Sequence, residues 1–151
     1  MNYRTLFLKL FAMGLLLLSL GCISGCKKYP DGPAISLLPK SWRLEENWKK
    51  QKVYKNGTDI SDLYLAKTKS ESFNIKKGGA FTYDATNSSG SISYSGTWAF
   101  STDKTVVYFS YYYGANYLND SYLILRLKED DLWMKWIDPS GDEYEYHYVP
   151  N

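Results

Sequence analysis

From Trp48 onward, apolar and polar side chains alternate at a period of two, in short runs broken by turn residues. In 91–100, Ile92, Tyr94, Gly96, Trp98 and Phe100 fall on one face, and Ser91, Ser93, Ser95, Thr97 and Ala99 fall on the other. Phe81 and Tyr83 alternate with Thr82 and Asp84. Leu132, Met134 and Trp136 alternate with Trp133, Lys135 and Ile137. Tyr144, Tyr146 and Tyr148 alternate with Glu143, Glu145 and His147. Successive side chains of a strand point to opposite faces, so this pattern predicts antiparallel strands with one dry and one wet face. Strands are predicted near 48–55, 70–76, 80–86, 91–100, 105–112, 121–128, 131–138 and 142–149. They are divided by turn signals such as Asn56-Gly57, Lys77-Gly78-Gly79, Asn87-Ser88-Ser89-Gly90 and Pro139-Ser140-Gly141-Asp142. A short helix is predicted over Pro39 to Asn47 and a helical turn over Asp62 to Lys67. Eight consecutive antiparallel strands leave two unpaired edges unless the sheet closes, so the expected architecture is an all-β, eight-stranded antiparallel up-and-down barrel. A barrel of that size holds its own side chains or one small ligand.

The chain ahead of this pattern differs in kind. Met1 to Lys9 carries Arg4 and Lys9 and no acid; Leu10 to Leu20 is nearly all apolar; Gly21-Cys22-Ile23-Ser24-Gly25-Cys26 follows. A charged start, a short apolar run and a small-residue exit describe a secretory signal. The run is short for a membrane span, which takes about 20 residues. Ile23-Ser24-Gly25-Cys26 resembles a bacterial lipobox at every position, whereas Ser19-Leu20-Gly21-Cys22 matches less well and leaves Cys22 as the alternative. The expected organisation is a removed lipoprotein signal peptide at 1–25, a tether and the start of the short helix at 26–41, and a barrel domain at 42–151. Cys26 is then the lipidated residue, carrying acyl chains of the palmitate type as the link to the membrane. Both cysteines of the chain lie in this exit region, so a domain starting at Cys26 has no disulfide and depends on its core alone. Processing also removes two of the 18 basic residues and none of the 16 acidic ones, leaving a formally neutral protein. No basic stripe of the kind that binds nucleic acid is present. Lys27-Lys28 suits anionic headgroups.

The run from Cys26-Lys27-Lys28-Tyr29-Pro30-Asp31-Gly32-Pro33 through Ile35-Ser36-Leu37 resembles the start of small lipoproteins of Bacteroidetes-type bacteria that carry a lipocalin-like domain. Trp48, Val53-Tyr54 and Asn56-Gly57-Thr58-Asp59 resemble that domain's first strand and turn. Phe73-Asn74-Ile75 with Gly78-Gly79-Ala80-Phe81-Thr82-Tyr83 resembles its next hairpin. Gly96-Thr97-Trp98-Ala99-Phe100 with Asp103-Lys104 resembles its most recognisable piece, and Leu125-Arg126-Leu127 with Asp131-Leu132-Trp133-Met134-Lys135-Trp136 its late hairpin. Two departures stand out. Glu46-Asn47-Trp48 lacks the usual Gly before the first-strand Trp, and Lys50 replaces an apolar residue, which predicts a first strand seated less deeply. The resemblance implies a lipocalin-like barrel, lipid-anchored in the cell envelope at the outer membrane, that binds in or around its interior. It implies no single activity, because fold does not fix function.

Candidate chemistry is sparse. The only histidine, His147, is read as an exposed strand residue between two acids. Metal sites need clustered ligands, and Glu129-Asp130-Asp131 or Asp138 with Asp142 read as solvated turn residues. No cofactor is implied and no catalytic residue is singled out. The aromatic content is the remaining signal: after Cys26, 23 aromatic residues outnumber 20 Ile, Leu and Val. Phe81, Tyr83, Tyr94, Trp98, Trp136, Tyr144 and Tyr146 are candidate lining residues, with core packing as their other role. Tyr111, Tyr113 and Tyr117, read as a loop, are candidates for the rim. The expected function is a non-enzymatic binding lipoprotein taking a small amphipathic ligand, a lipid or glycan fragment. The alternative is a protein–protein interaction module of an envelope complex.

Overall fold

The computed structural model describes Tyr29 and residues 37–151. The signal segment, Cys26 and most of the tether lie outside the described residues. A short helix α1 (Lys40–Leu44) leads into β1 (Asn47–Lys55), β2 (Thr58–Asp59) and a second short helix α2 (Ser61–Leu65). Seven further strands follow: β3 (Thr68–Ile75), β4 (Ala80–Asn87), β5 (Gly90–Phe100), β6 (Val106–Tyr113), β7 (Asn116–Leu127), β8 (Leu132–Ile137) and β9 (Glu143–Pro150). From β3 to β9 each strand pairs antiparallel with the next, and β1 pairs antiparallel with β9 from Trp48↔Pro150 to Lys55↔Tyr144. The sheet therefore closes as an all-β, eight-stranded antiparallel barrel of lipocalin-like form, with β2 as a two-residue addition on β1.

The period-two pattern sets the register. Tyr94, Gly96, Trp98 and Phe100 face inward on β5, and Leu132, Met134 and Trp136 do so on β8. Asn56-Gly57 makes the tight turn after β1 with positive φ at both residues (49° and 79°), the backbone that a two-residue hairpin requires. Three expectations are corrected. The predicted helix stops at Leu44 rather than Asn47, because Asn47 enters the ladder opposite Asn74. β7 starts at Asn116 rather than 121, because Tyr117 to Asp120 pair with Tyr112 to Phe109; the predicted 111–117 loop is a hairpin. The first strand is not shallow: Trp48 and Val53 are fully buried and Lys50 nearly so. The Trp48 indole N–H donates to the carbonyl of Leu44 at 2.9 Å, which seats the strand without the expected glycine.

The β1–β3 seam is the weak place in closure. Only Asn47↔Asn74 and Trp48↔Phe73 pair there, and β2 takes the far end of β1. α2 covers the gap. Its Ser61 hydroxyl accepts from the Val53 amide at 3.0 Å, and the Ile60 amide donates to the Val53 carbonyl at 2.9 Å, so backbone groups released by the splayed ladder keep partners. A register shift between Lys50 and Lys52 lets both Lys50 and Val53 face inward.

The two ends differ. At the end where β1 begins, α1 lies across the barrel with Leu44 fully buried and the Arg43 guanidinium donating to the Leu127 carbonyl. Tyr29 is also buried there, and its hydroxyl donates to the Lys104 carbonyl at 2.7 Å. Phe73, Phe81, Phe109, Ile124, Leu127, Leu132 and Met134 fill the barrel behind this cap. The other end carries the 114–115 and 138–142 turns and α2, and among the described residues no element lies across it.

Candidate functional site

A cavity of about 460 Å³ opens at the end opposite α1. Phe73, Phe81, Phe109 and Tyr148 form its floor. Two aromatic walls rise from them. On β4, β5 and β6, Tyr83, Tyr94 and Tyr111 stack in series, at 5.0 Å (27°) and 4.4 Å (15°) between ring centroids. On β7, β8 and β9, Tyr122, Trp136 and Tyr146 complete the wall, with Tyr122 and Trp136 stacked at 6.4 Å. Inward-facing positions of neighbouring strands lie side by side, so an aromatic at each becomes a continuous π surface.

The polar groups are few and placed. Lys50 Nζ sits 2.8 Å from Glu71 Oε1, with both side chains 5% exposed. It donates to the Tyr64 hydroxyl at 3.1 Å and lies over the rings of Tyr64, Tyr146, Tyr148 and Tyr83 at 4.7, 4.9, 5.8 and 5.9 Å. Across the cavity the Tyr111 hydroxyl donates to Asp120 Oδ2 at 2.7 Å. Burial pushes the phenols of Tyr83, Tyr94, Tyr111, Tyr122, Tyr146 and Tyr148 above their ordinary value, with the charges of Glu71 or Asp120 adding to the rise. The walls are therefore neutral hydrogen-bonding surfaces at physiological pH.

This has a consequence for alkaline stability. A tyrosine in the unfolded chain ionises near pH 10, whereas these six hold their protons in the barrel. Their contribution to stability is full below about pH 10 and falls above it, because the unfolded chain releases protons that the folded one keeps. In an alkaline titration, phenolate absorbance from the six should emerge together with loss of the far-ultraviolet β signal. Six phenols titrating near pH 10 in an intact barrel would contradict this.

Of the residues singled out from sequence, Phe81, Tyr83, Tyr94, Tyr111, Trp136 and Tyr146 meet in this cavity. Four do not line it. Trp98 sits at the closed end, where its indole N–H donates to the Lys76 carbonyl at 3.0 Å and its ring meets Phe100 edge-on. Tyr144 stacks against Tyr146 beside the mouth, under Lys55. Tyr113 is half-exposed at the rim and touches Tyr94 edge-on. Tyr117 lies on the outer surface against Tyr112. Sequence reasoning missed Lys50, Glu71, Tyr64, Asp120, Tyr122 and Tyr148. Lys50 shares the parity of Trp48, and Asp120 that of Tyr122, so strand phase was the signal that could have found both.

His147 is buried on the outer wall, not exposed. Its ring stacks flat on Trp133 at 4.0 Å and 2°, Tyr54 meets it at 5.1 Å, and Nε2 lies 2.6 Å from Glu145 Oε1. Large neighbours on two adjoining strands cover what strand parity alone left open. Among the described residues no serine or threonine hydroxyl is bonded to it, and no three His, Cys, Asp or Glu side chains come together as a metal site.

Compared with known protein-family models the chain matches none, and no curated protein is significantly similar to it. An eight-stranded barrel with an open aromatic interior fits a binding role.

Proposed function

We propose that this protein is a non-enzymatic binding lipoprotein of the cell envelope, anchored through acylated Cys26. In this reading its lipocalin-like barrel takes a small amphipathic ligand between the two aromatic walls. One observation carries the reading: the barrel is packed at one end and open at the other, with a ligand-sized cavity of about 460 Å³ walled by stacked rings. A barrel with only a structural role gains nothing from leaving such an aromatic surface unfilled, since buried voids forfeit packing contacts. The polar ends of the tyrosines and the Lys50–Glu71 pair supply the few oriented groups that a binding pocket uses for specificity.

The test is native mass spectrometry on protein purified from its own envelope, looking for a retained small molecule. Exchanging Tyr94 and Trp136 for alanine should lower its occupancy about tenfold or more, the usual cost of truncating aromatic anchors. Trp98→Ala, at the closed end, should leave occupancy intact once folding is verified. A folded Tyr94/Trp136 double variant that still retains the molecule would defeat the reading.

A second reading rests on the tip of the β6–β7 hairpin, where Tyr112, Tyr113 and Tyr117 are 65%, 50% and 60% exposed. Exposed aromatics at a projecting tip suit a protein partner in an envelope complex. A Tyr112→Ser, Tyr117→Ser variant should then lose that partner in cross-linked envelopes while its cavity binding stays unchanged.

A further inference from the structure

We propose that the cavity selects a ligand with a cationic head, an organic ammonium carried on an apolar body. This rests on the ligand-binding reading above and narrows it. Among the described residues, Lys50 and Asp120 are the charged side chains lining the cavity, and Glu71 lies against Lys50. The Lys50–Glu71 pair cancels within itself. Among the described residues Asp120 has no cation in ion-pair range; its one hydrogen-bond partner there is the Tyr111 hydroxyl on Oδ2, so Oδ1 accepts nothing from the described protein. The described residues thus leave the cavity with one uncompensated negative charge.

Aromatic side chains line the cavity around that charge. Asp120 shares the cavity wall with Tyr94, Tyr111 and Tyr122. A carboxylate beside aromatic faces is the chemistry that holds ammonium groups, because the ring quadrupole and the acid attract a cation together. The protein already shows this preference in its own side chain: the Lys50 ammonium lies within 4.7 to 5.9 Å of four tyrosine rings. An anionic head would fare poorly. It would face Asp120, and at Lys50 it would have to share the ammonium with the buried Glu71 carboxylate, which repels it.

The test compares three soluble probes that share a benzyl group and differ in the head: benzyltrimethylammonium, phenylacetate and benzyl glucoside. Each is titrated by calorimetry into the full chain held in lipid nanodiscs, with empty nanodiscs subtracted. The ammonium should bind at least about tenfold tighter than phenylacetate, and Asp120→Asn should remove that preference. Asparagine keeps an oxygen for the Tyr111 hydroxyl, and an unchanged melting temperature verifies the fold. Asp120→Glu, which keeps the charge, should retain the preference. Equal or tighter binding of phenylacetate or benzyl glucoside, or an unchanged ammonium affinity in folded Asp120→Asn, overturns the proposal. If benzyl glucoside binds at least as tightly as the ammonium and the Tyr94/Trp136 variant abolishes it, the cationic preference alone falls; if none of the three binds, both readings fall.

Discussion

Replacing Lys50 with methionine should destabilise the barrel by about 3–5 kcal/mol, the cost of leaving one member of a buried ion pair without its partner. A domain of this kind has a total stability of about 5–15 kcal/mol, so the single variant should lie near the edge of folding. Lys50 and Glu71 are each 5% exposed and 2.8 Å apart, and they tie β1 to β3 where the strand ladder between them has run out. The carboxylate left in Lys50→Met would face Tyr83 and Tyr148 with no cation. Removing both charges should behave differently: Lys50→Met with Glu71→Leu should recover most of the loss, since a well-packed apolar pair often equals a buried salt bridge. Urea unfolding of the four proteins closes the cycle. A single-variant loss below about 1 kcal/mol would mean that water from the cavity mouth solvates the pair.

Gly96→Ala should be nearly as damaging, for a steric reason. A Cβ built at Gly96 falls 2.0 Å from the Ser110 carbonyl oxygen, 2.8 Å from Tyr111 Cβ and 3.0 Å from Phe81 Cε1. Ser110 belongs to the β6 ladder, so it cannot retreat without breaking hydrogen bonds between β5 and β6. Phe81 lies on the opposite neighbouring strand, paired with Gly96, and the ring uses the space the glycine leaves. Overpacking against backbone costs about 3 kcal/mol, which for a domain of this size lowers the melting temperature by about 10 °C. Scanning calorimetry measures this directly. A variant that melts like the parent would show that the strands part there without cost.

The fold was largely legible because one physical rule, alternation, governs almost every strand. Eight strands, their order and their inward faces follow from Phe81–Tyr83, Ile92–Phe100, Leu132–Trp136 and Tyr144–Tyr148. The rule failed where the phase of a strand is not written in its hydrophobicity. Tyr111 to Tyr117 is aromatic on both faces, so Tyr113 and Tyr117 could not be told apart from Tyr111 until the hairpin placed Tyr117 opposite Tyr112 on the outside. Lys50 breaks the apolar pattern of β1; its parity with Trp48 points it inward, but the partner that makes this burial tolerable, Glu71, lies 21 positions along the chain. Asp120 falls between the predicted strands, in the stretch read as a loop, so its parity with Tyr122 became legible only once the hairpin was known. Trp98 fits the inward pattern fully, yet depth along the barrel axis, unlike face, has no period, and it lies at the closed end.

Tyr29 is the last feature with reach beyond its own contacts. Its buried ring and its bond to Lys104 pin the chain to the floor of the barrel, only three residues after Cys26. Three residues span at most about 11 Å when fully stretched. An acyl anchor on Cys26, as proposed above, would be held within that reach of Tyr29. Under that proposal the closed end is the one leashed to the membrane, and the open mouth is the end that stays free to receive a guest.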